Sequence, residues 1–219
     1  MSYRTGPKIV TDGLVLCLDA ADRNSYPGSG STWYDLSGNG NNLTLTNGPT
    51  FNTNNHGSFS FDGANDYVSS VSIPNPNGQL TCEVIMNYNS KGQYHNIFDN
   101  GSYRPMLWID GNNKLEVSFP SANGGLTSTL AYHGQNVIVT AVYSSVSSPG
   151  IELYVNGVSV GTNATAHVSW ANPSTFTLFN RAGGQTFSGK IYSFKFYNKV
   201  LTTSEISQNF EATKGRFGL

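Results

Sequence analysis

The chain has 219 residues, of which 11% are charged, and a formal net charge of −1, whereas an average soluble domain is roughly 25% charged. That balance argues against a basic nucleic-acid reader, and 37% hydrophobic with 12% aromatic residues argues against a disordered chain. The polarity comes instead from Asn, Ser, Thr and 24 glycines, residues of turns and exposed loops.

Taken from the start, "MSYRTGPKIVTDG" carries no apolar leader, and no later stretch reaches the roughly 20 apolar residues of a membrane span. Synthesis and folding in a cytoplasm, with no membrane partner, is the expectation. Residues 1–11 read as an extended arm and residues 12–219 as one domain. Short apolar runs then recur every 8 to 15 residues or so, divided by Asn-Gly and Asp-Gly pairs, the spacing of an all-β sandwich or barrel.

The first run, "LVLCLDA", holds Cys17, and "QLTCEVIM" holds Cys82. Both read as buried free thiols, a disulfide between them being the alternative if their α-carbons lie within about 7 Å, and two cysteines fall short of a structural zinc site. Between them lies "WYDLSGNGNNLTL". Asp35, Ser37, Asn39 and Gly40 imitate the first half of a calcium loop, but position 12 is Thr46 rather than Glu. A phosphate loop would need a Lys and a following helix. The segment is therefore predicted to be a tight turn in which Asp35 and the asparagines bind backbone.

Farther on, "QLTCEVIMNY" (79–88), "QNVIVTAVYSS" (135–145) and "GKIYSFKFYN" (189–198) are the longest predicted strands. In the last, Ile191, Phe194 and Phe196 cannot share a face under a strict period of two. A bulge or a sheet covered on both faces is required. Two hairpins are predicted. One turns at Asp110-Gly111 between Leu107, Ile109 and Leu115, Val117, Phe119; the other turns at Asn156-Gly157 after Ile151, Leu153 and Val155. The single helical signal is "LTTSEISQNFEATKG": Thr202 and Glu205 at capping-box spacing, Leu201, Ile206 and Phe210 inward, Gly215 as the stop.

Several segments in one order resemble a known family. "GLVLCLDAAD", "WYDLSGNGNNLTL", "SFSFDGANDYVSS", "NVIVTAVYSS", "IELYVNGVSVGT" and "FSGKIYSFKFYNKVLTTSEISQNF" look like a laminin-G-like, concanavalin A-like domain across residues 12–219. The resemblance implies an all-β fold, a two-sheet antiparallel jelly-roll sandwich with a short C-terminal helix. The stretch "GLVLCLDAADRNSYPGSGSTWYDLSGNGNN" also resembles virion proteins of tailed bacteriophages. That implies a non-enzymatic protein of a capsid or tail, partnered by other virion proteins, by copies of itself or by a host-surface glycan. Its N-terminal arm and tail would then anchor it through Tyr3, Arg4, Ile9, Arg216 and Phe217, unless both ends simply fray. A free carbohydrate-binding module and a polysaccharide lyase are the alternatives.

The candidate sites follow from that resemblance and from residue chemistry. Domains like this one often hold a structural calcium at a sandwich edge, and in "FDGANDYV" Asp62 and Asp66 are its candidate ligands; the plainer reading is that Asp62 caps the Asp-Gly turn. For a sugar, rings stack on the pyranose C–H face while Asn, Asp or Arg grips hydroxyls. Tyr94, His95, Tyr103, Arg104, Trp170 and Arg181 are the candidates, whereas Trp108, inside an alternating strand, is assigned to core or rim. Glu83, Glu116, Glu152, Glu205 and Glu211 are dispersed, without the carboxylates that hydrolases of this fold place along one strand. Gln93 and His95 imitate the Q-x-H strand of jelly-roll lyases, with Tyr197 and Lys199 as distant partners, but the lyases' arginine-rich strand is missing.

Overall fold

A computed structural model describes residues 7–54, 57–74, 78–99, 105–118, 125–146, 148–164, 174–181 and 184–219. In chain order its strands are β1 Leu14–Asp19, β2 Thr32–Trp33, β3 Leu43–Thr46, β4 Thr50–Asn52, β5 Ser58–Asp62, β6 Tyr67–Ile73, β7 Gln79–Tyr88 and β8 His95–Asp99. They continue as β9 Met106–Ile109, β10 Lys114–Ser118, β11 Gly125–Ala131, β12 Val137–Ser144, β13 Ile151–Val155, β14 Val158–Asn163, β15 Ser174–Leu178 and β16 Ser188–Tyr197, before the helix α1 Thr203–Thr213. Two antiparallel sheets result. One runs β14-β13-β12-β7-β16-β5-β4 with β1 also on β16; the other runs β11-β10-β9-β8-β15-β6-β3-β2. The core between them is aromatic: Trp33, Phe59, Phe98, Phe176, Phe179, Phe187, Phe194 and Phe196 are fully buried.

Strand β16 resolves the phase problem in its sequence with both devices at once. Its register against β7 slips between Ile191 and Ser193. Ile191, Phe194 and Phe196 thereby reach the same core. The opposite face is covered too, since Tyr197 packs with Val10, Leu201 and Ile206, and Tyr192 packs with Phe217. Strand β7, at the centre of this sheet, is buried along almost its whole length.

The turn chemistry is local and specific. Asn156 (φ 51°) and Gly157 (φ 76°) join β13 to β14 with Val155 opposite Val158, the left-handed pair that a type I′ turn demands. The β9–β10 hairpin forms where predicted, around a longer turn. Its left-handed residue is Asn113 (φ 64°), not Gly111, because Asp110 Oδ1 accepts from the N–H groups of Asn112 and Lys114 and closes a longer loop. Phe119 lies outside the described residues.

The Asp35 segment is a turn, and its carboxylate is saturated. Oδ1 accepts from Cys17 N (2.9 Å) and Ser37 N (2.8 Å); Oδ2 accepts from Ser37 Oγ (2.7 Å) and Asn41 N (3.0 Å). Asn39 and Asn41 donate to the carbonyls of Leu14 and Val15, so the loop is clipped to β1. Cys17 and Cys82 are free and buried.

Helix α1 begins as predicted. The Thr202 side chain accepts from Glu205 N while Glu205 receives the Thr202 N–H, a complete capping box. Gly215 does not stop it. The chain tightens into a 3-10 turn, Lys214–Arg216, and the left-handed residue is Gly218 (φ 70°). Beneath α1 lies a buried polar network: Lys195 Nζ meets Glu83 Oε1 at 2.7 Å, and Asn209 Nδ2 donates to Glu83 Oε2 and to Tyr197 Oη.

The described part of the N-terminal arm is spent on this same helix. Val10 N donates to Asn209 Oδ1, Tyr197 Oη donates to Val10 O, and Gln208 Nε2 donates to Lys8 O; Ile9 beside them is half-buried. Arg216 grips both oxygens of Asp19 and Phe217 packs on Tyr192, so the tail residues expected to anchor a partner already hold their own chain. Tyr3 and Arg4 lie outside the described residues.

Candidate functional site

Strands β8, β9, β10 and β11 place one row of side chains on the outer face of the second sheet. The register sets Asn96 opposite Trp108, Trp108 opposite Glu116, and Glu116 opposite Thr127. Leu107 and Ile109, the neighbours of Trp108, point into the core, so the alternation of the strand turns Trp108 outward. It is half-buried on that face rather than part of the core.

Tyr94, from the β7–β8 loop, is 41% exposed and leans its ring on Trp108 with centroids 5.1 Å apart. Arg181, from the β15–β16 connection, holds its guanidinium 5.4 Å from the Trp108 ring centroid. Its Nε pairs with Asp99 Oδ2 at 2.9 Å, and Asp99 is buried. A desolvated carboxylate of that kind fixes the fork of the arginine. Glu116 completes the row; burial, and then the charge of Asp110, raises its pKa. Under the row sits Asn96, wholly buried, with neither Oδ1 nor Nδ2 hydrogen-bonded among the described residues, and Gln185 Oε1 is likewise unspent. Buried amides seldom go without partners. A depression of about 390 Å³ opens beside Tyr94, bounded by Gly92, Gln93, Gly111, Gly184 and Gln185.

Of the residues proposed from sequence for a sugar, the structure brings Tyr94 and Arg181 together and adds Trp108, which had been assigned elsewhere. Tyr103, Arg104 and Trp170 lie outside the described residues. His95 is not a surface group: it is fully buried between Tyr88 and Phe187, and its Nδ1 accepts from Ser188 N. Burial, aided by the nearby Lys91, pushes its pKa down to about 4. Nor do the lyase-like residues meet, because His95 lies on the second sheet and Tyr197 is buried under α1 on the first.

His95 has a measurable consequence. The imidazole is neutral in the fold down to about pH 4, whereas in the unfolded chain it protonates near 6.5. The unfolded state therefore binds more protons between those values, and stability falls as pH falls through that window. Denaturant midpoints taken from pH 7 to pH 4 should register a loss of up to about 3 kcal/mol from this group, absent in His95→Gln. Parallel pH slopes in the two proteins would refute the assignment.

The corner "FDGANDYV" uses its carboxylates internally. Asp62 Oδ1 accepts from Ala64 N and Asn65 N, and Asp66 Oδ2 accepts from Asp62 N. Backbone donors, chiefly Ala64 N, lower the Asp62 pKa, while burial raises that of Asp66.

With this geometry in hand, comparison with known proteins is informative about fold. Residues 62–207 match the Laminin_G_3 family model, described as the concanavalin A-like lectin/glucanases superfamily. No curated protein sequence matches. The Trypanosoma rangeli sialidase in complex with 2,3-difluorosialic acid superposes with a TM-score of 0.71 at 16% identity, covering 96% of this chain and 35% of that one. The binding domain of Paraclostridial Mosquitocidal Protein 1 gives 0.67 at 15% identity, covering 91% and 52%. This chain thus spans about a third of the sialidase chain, and at these identities the likeness speaks to the fold alone.

Proposed function

The chain belongs to the concanavalin A-like lectin/glucanases superfamily, and from that premise we propose that it is a non-catalytic carbohydrate-binding module whose site is the outer face of β8–β10. The observation that carries the reading is the Tyr94–Trp108 ring pair with Arg181 held against it above the unspent amide of Asn96. The two rings, tilted 47° to each other, offer an apolar surface to a pyranose, and a guanidinium fixed by Asp99 offers donors at its rim. The shared fold of the Trypanosoma rangeli sialidase, solved with a sialic acid derivative, is consistent with a saccharide ligand.

Binding without turnover is supported by where the glutamates lie. Glu83 is buried against Lys195, Glu205 and Glu211 belong to α1, and Glu152 accepts from Tyr154 Oη. That leaves Glu116 as the glutamate of this face. The reading extends to a module displayed on a virion, on the strength of the sequence likeness of "GLVLCLDAADRNSYPGSGSTWYDLSGNGNN" to tailed-phage proteins; antibody labelling of intact particles is its test. The module itself is tested on a glycan array followed by product analysis. At least one pyranose glycan should be retained and recovered unchanged. An array without a hit, or cleavage of the retained glycan, would overturn the proposal.

A further inference from the structure

Lys91 sits in the β7–β8 loop, three residues before Tyr94, and its ammonium is enclosed by oxygens. Nζ donates to Gly63 O (2.7 Å), Thr186 Oγ1 (3.2 Å) and Thr186 O (3.3 Å), while Thr186 Oγ1 itself donates to Gly63 O. Gly63 belongs to the β5–β6 corner and Thr186, which is buried, to the β15–β16 connection. One cation therefore joins three loops that are remote in sequence. Two of them carry the walls of the depression beside the ring pair, through Gly92, Gln93 and Tyr94 on one side and Gly184 and Gln185 on the other.

That arrangement bears on the calcium expected at Asp62 and Asp66. A calcium ion takes six to eight oxygens at about 2.3–2.6 Å. Here one oxygen of each carboxylate, Asp62 Oδ1 and Asp66 Oδ2, accepts backbone N–H groups, and two carbonyls of the corner, Gly63 O and Thr186 O, are taken by Lys91. Among the described residues no group of three or more His, Cys, Asp or Glu side chains could hold a metal. The residues present do not fit the ion.

We propose that Lys91 is the built-in cation of this corner, standing where a structural calcium would otherwise tie the loops, and that it positions the glycan site in a calcium-independent way. Burial lowers the Lys91 pKa and the charge of Asp62 offsets part of that effect, while three oxygens hold the ammonium in place. A lysine suits the task, being a compact charge on a stem long enough to reach two loops at once. The claim about positioning rests on the functional reading above; the claim about the cation does not.

The experiment is a melting series on the full chain with added calcium and with chelator. The wild-type Tm should be the same in both. Lys91→Met, which keeps the stem and removes the charge, should lower Tm by about 4–10 °C, since hydrogen bonds to a charged group are lost. Lys91→Arg should keep more than half of the difference. A wild-type Tm raised by calcium, a Met variant as stable as wild type, or an Arg variant that falls as far as Met would each overturn the proposal. On a glycan identified by array, Lys91→Met should bind about tenfold more weakly through lost pre-organisation, and wild-type binding should ignore chelator. Failure of wild type to bind any glycan would retire the functional reading and leave the melting result to stand or fall alone. Unaltered affinity in Lys91→Met would overturn the positioning claim.

Discussion

Replacing Lys195 by Met is expected to cost about 3–5 kcal/mol of stability, a fall in Tm on the order of 10 °C for a domain of this size. The reason lies in what the substitution leaves behind. Glu83 is fully buried and its Oε1 meets Lys195 Nζ at 2.7 Å, with side chains 0% and 4% exposed. Burial by itself pulls the Lys195 pKa down, but the carboxylate of Glu83 more than offsets it and the net direction is up. Without the ammonium, the carboxylate keeps, among the described residues, only the long hydrogen bond from Asn209 (3.3 Å) and must be neutralised or exposed. Exposure would lift α1 and, with it, residues 8–10, which the helix holds through Gln208 and Asn209. The double substitution Glu83→Leu with Lys195→Met should recover most of the loss, since an apolar pair of similar volume removes both desolvation costs. Urea midpoints of wild type, single and double variants decide the matter. A single variant within about 1 kcal/mol of wild type would show that water already reaches the pair.

The second large effect concerns the proposed ligand. Trp108→Ala should weaken glycan binding by about 30- to 1000-fold, equivalent to about 2–4 kcal/mol. The indole is the centre of the face: Tyr94 leans on it, Arg181 lies against it, and Asn96 and Glu116 flank it in register. Truncation removes the stacking surface and takes away the support that orients both neighbours. Lys195→Met, on the other sheet, serves as the control; measured below its own melting temperature, it should leave affinity unchanged despite its lower stability. Titration calorimetry on the array hit separates the two outcomes. Equal losses in both variants would mean that binding reports on folding rather than on the ring pair.

Much of the fold is legible in the residues because each local signal acts alone. Asn156-Gly157 closes its hairpin, Thr202 and Glu205 start the helix, and "QLTCEVIMNY" is a strand over the range its apolar run suggests. Departures arise where a side chain competes with the backbone rule. Asp110 captures two N–H groups and shifts the left-handed position from Gly111 to Asn113. At the helix end, Arg216 is drawn to Asp19 and Phe217 to Tyr192, so the chain winds on through Gly215. The site was harder to see. Strict alternation in "MLWID" fixes that Trp108 faces opposite to Leu107 and Ile109, and this was the available signal for its outward position. That Asn96, Arg181 and Tyr94 gather on it depends on which strands become neighbours, here β8 between β9 and β15, and no periodicity encodes that order. His95 misleads for the same reason: a histidine next to a loop tyrosine looks accessible until its strand is packed against Phe187.

On the proposed reading, a saccharide lies on the Tyr94–Trp108–Arg181 face. Backbone and indole chemical-shift mapping by NMR, during titration with a glycan that the module retains, tests it most directly. The expected result is a set of perturbations clustered on Tyr94, Asn96, Trp108, Glu116 and Arg181, with the resonances under α1 unmoved. Perturbations gathered on the other sheet or around the Asp35 loop, with the Trp108 indole unaffected, would rule out a saccharide site on this face.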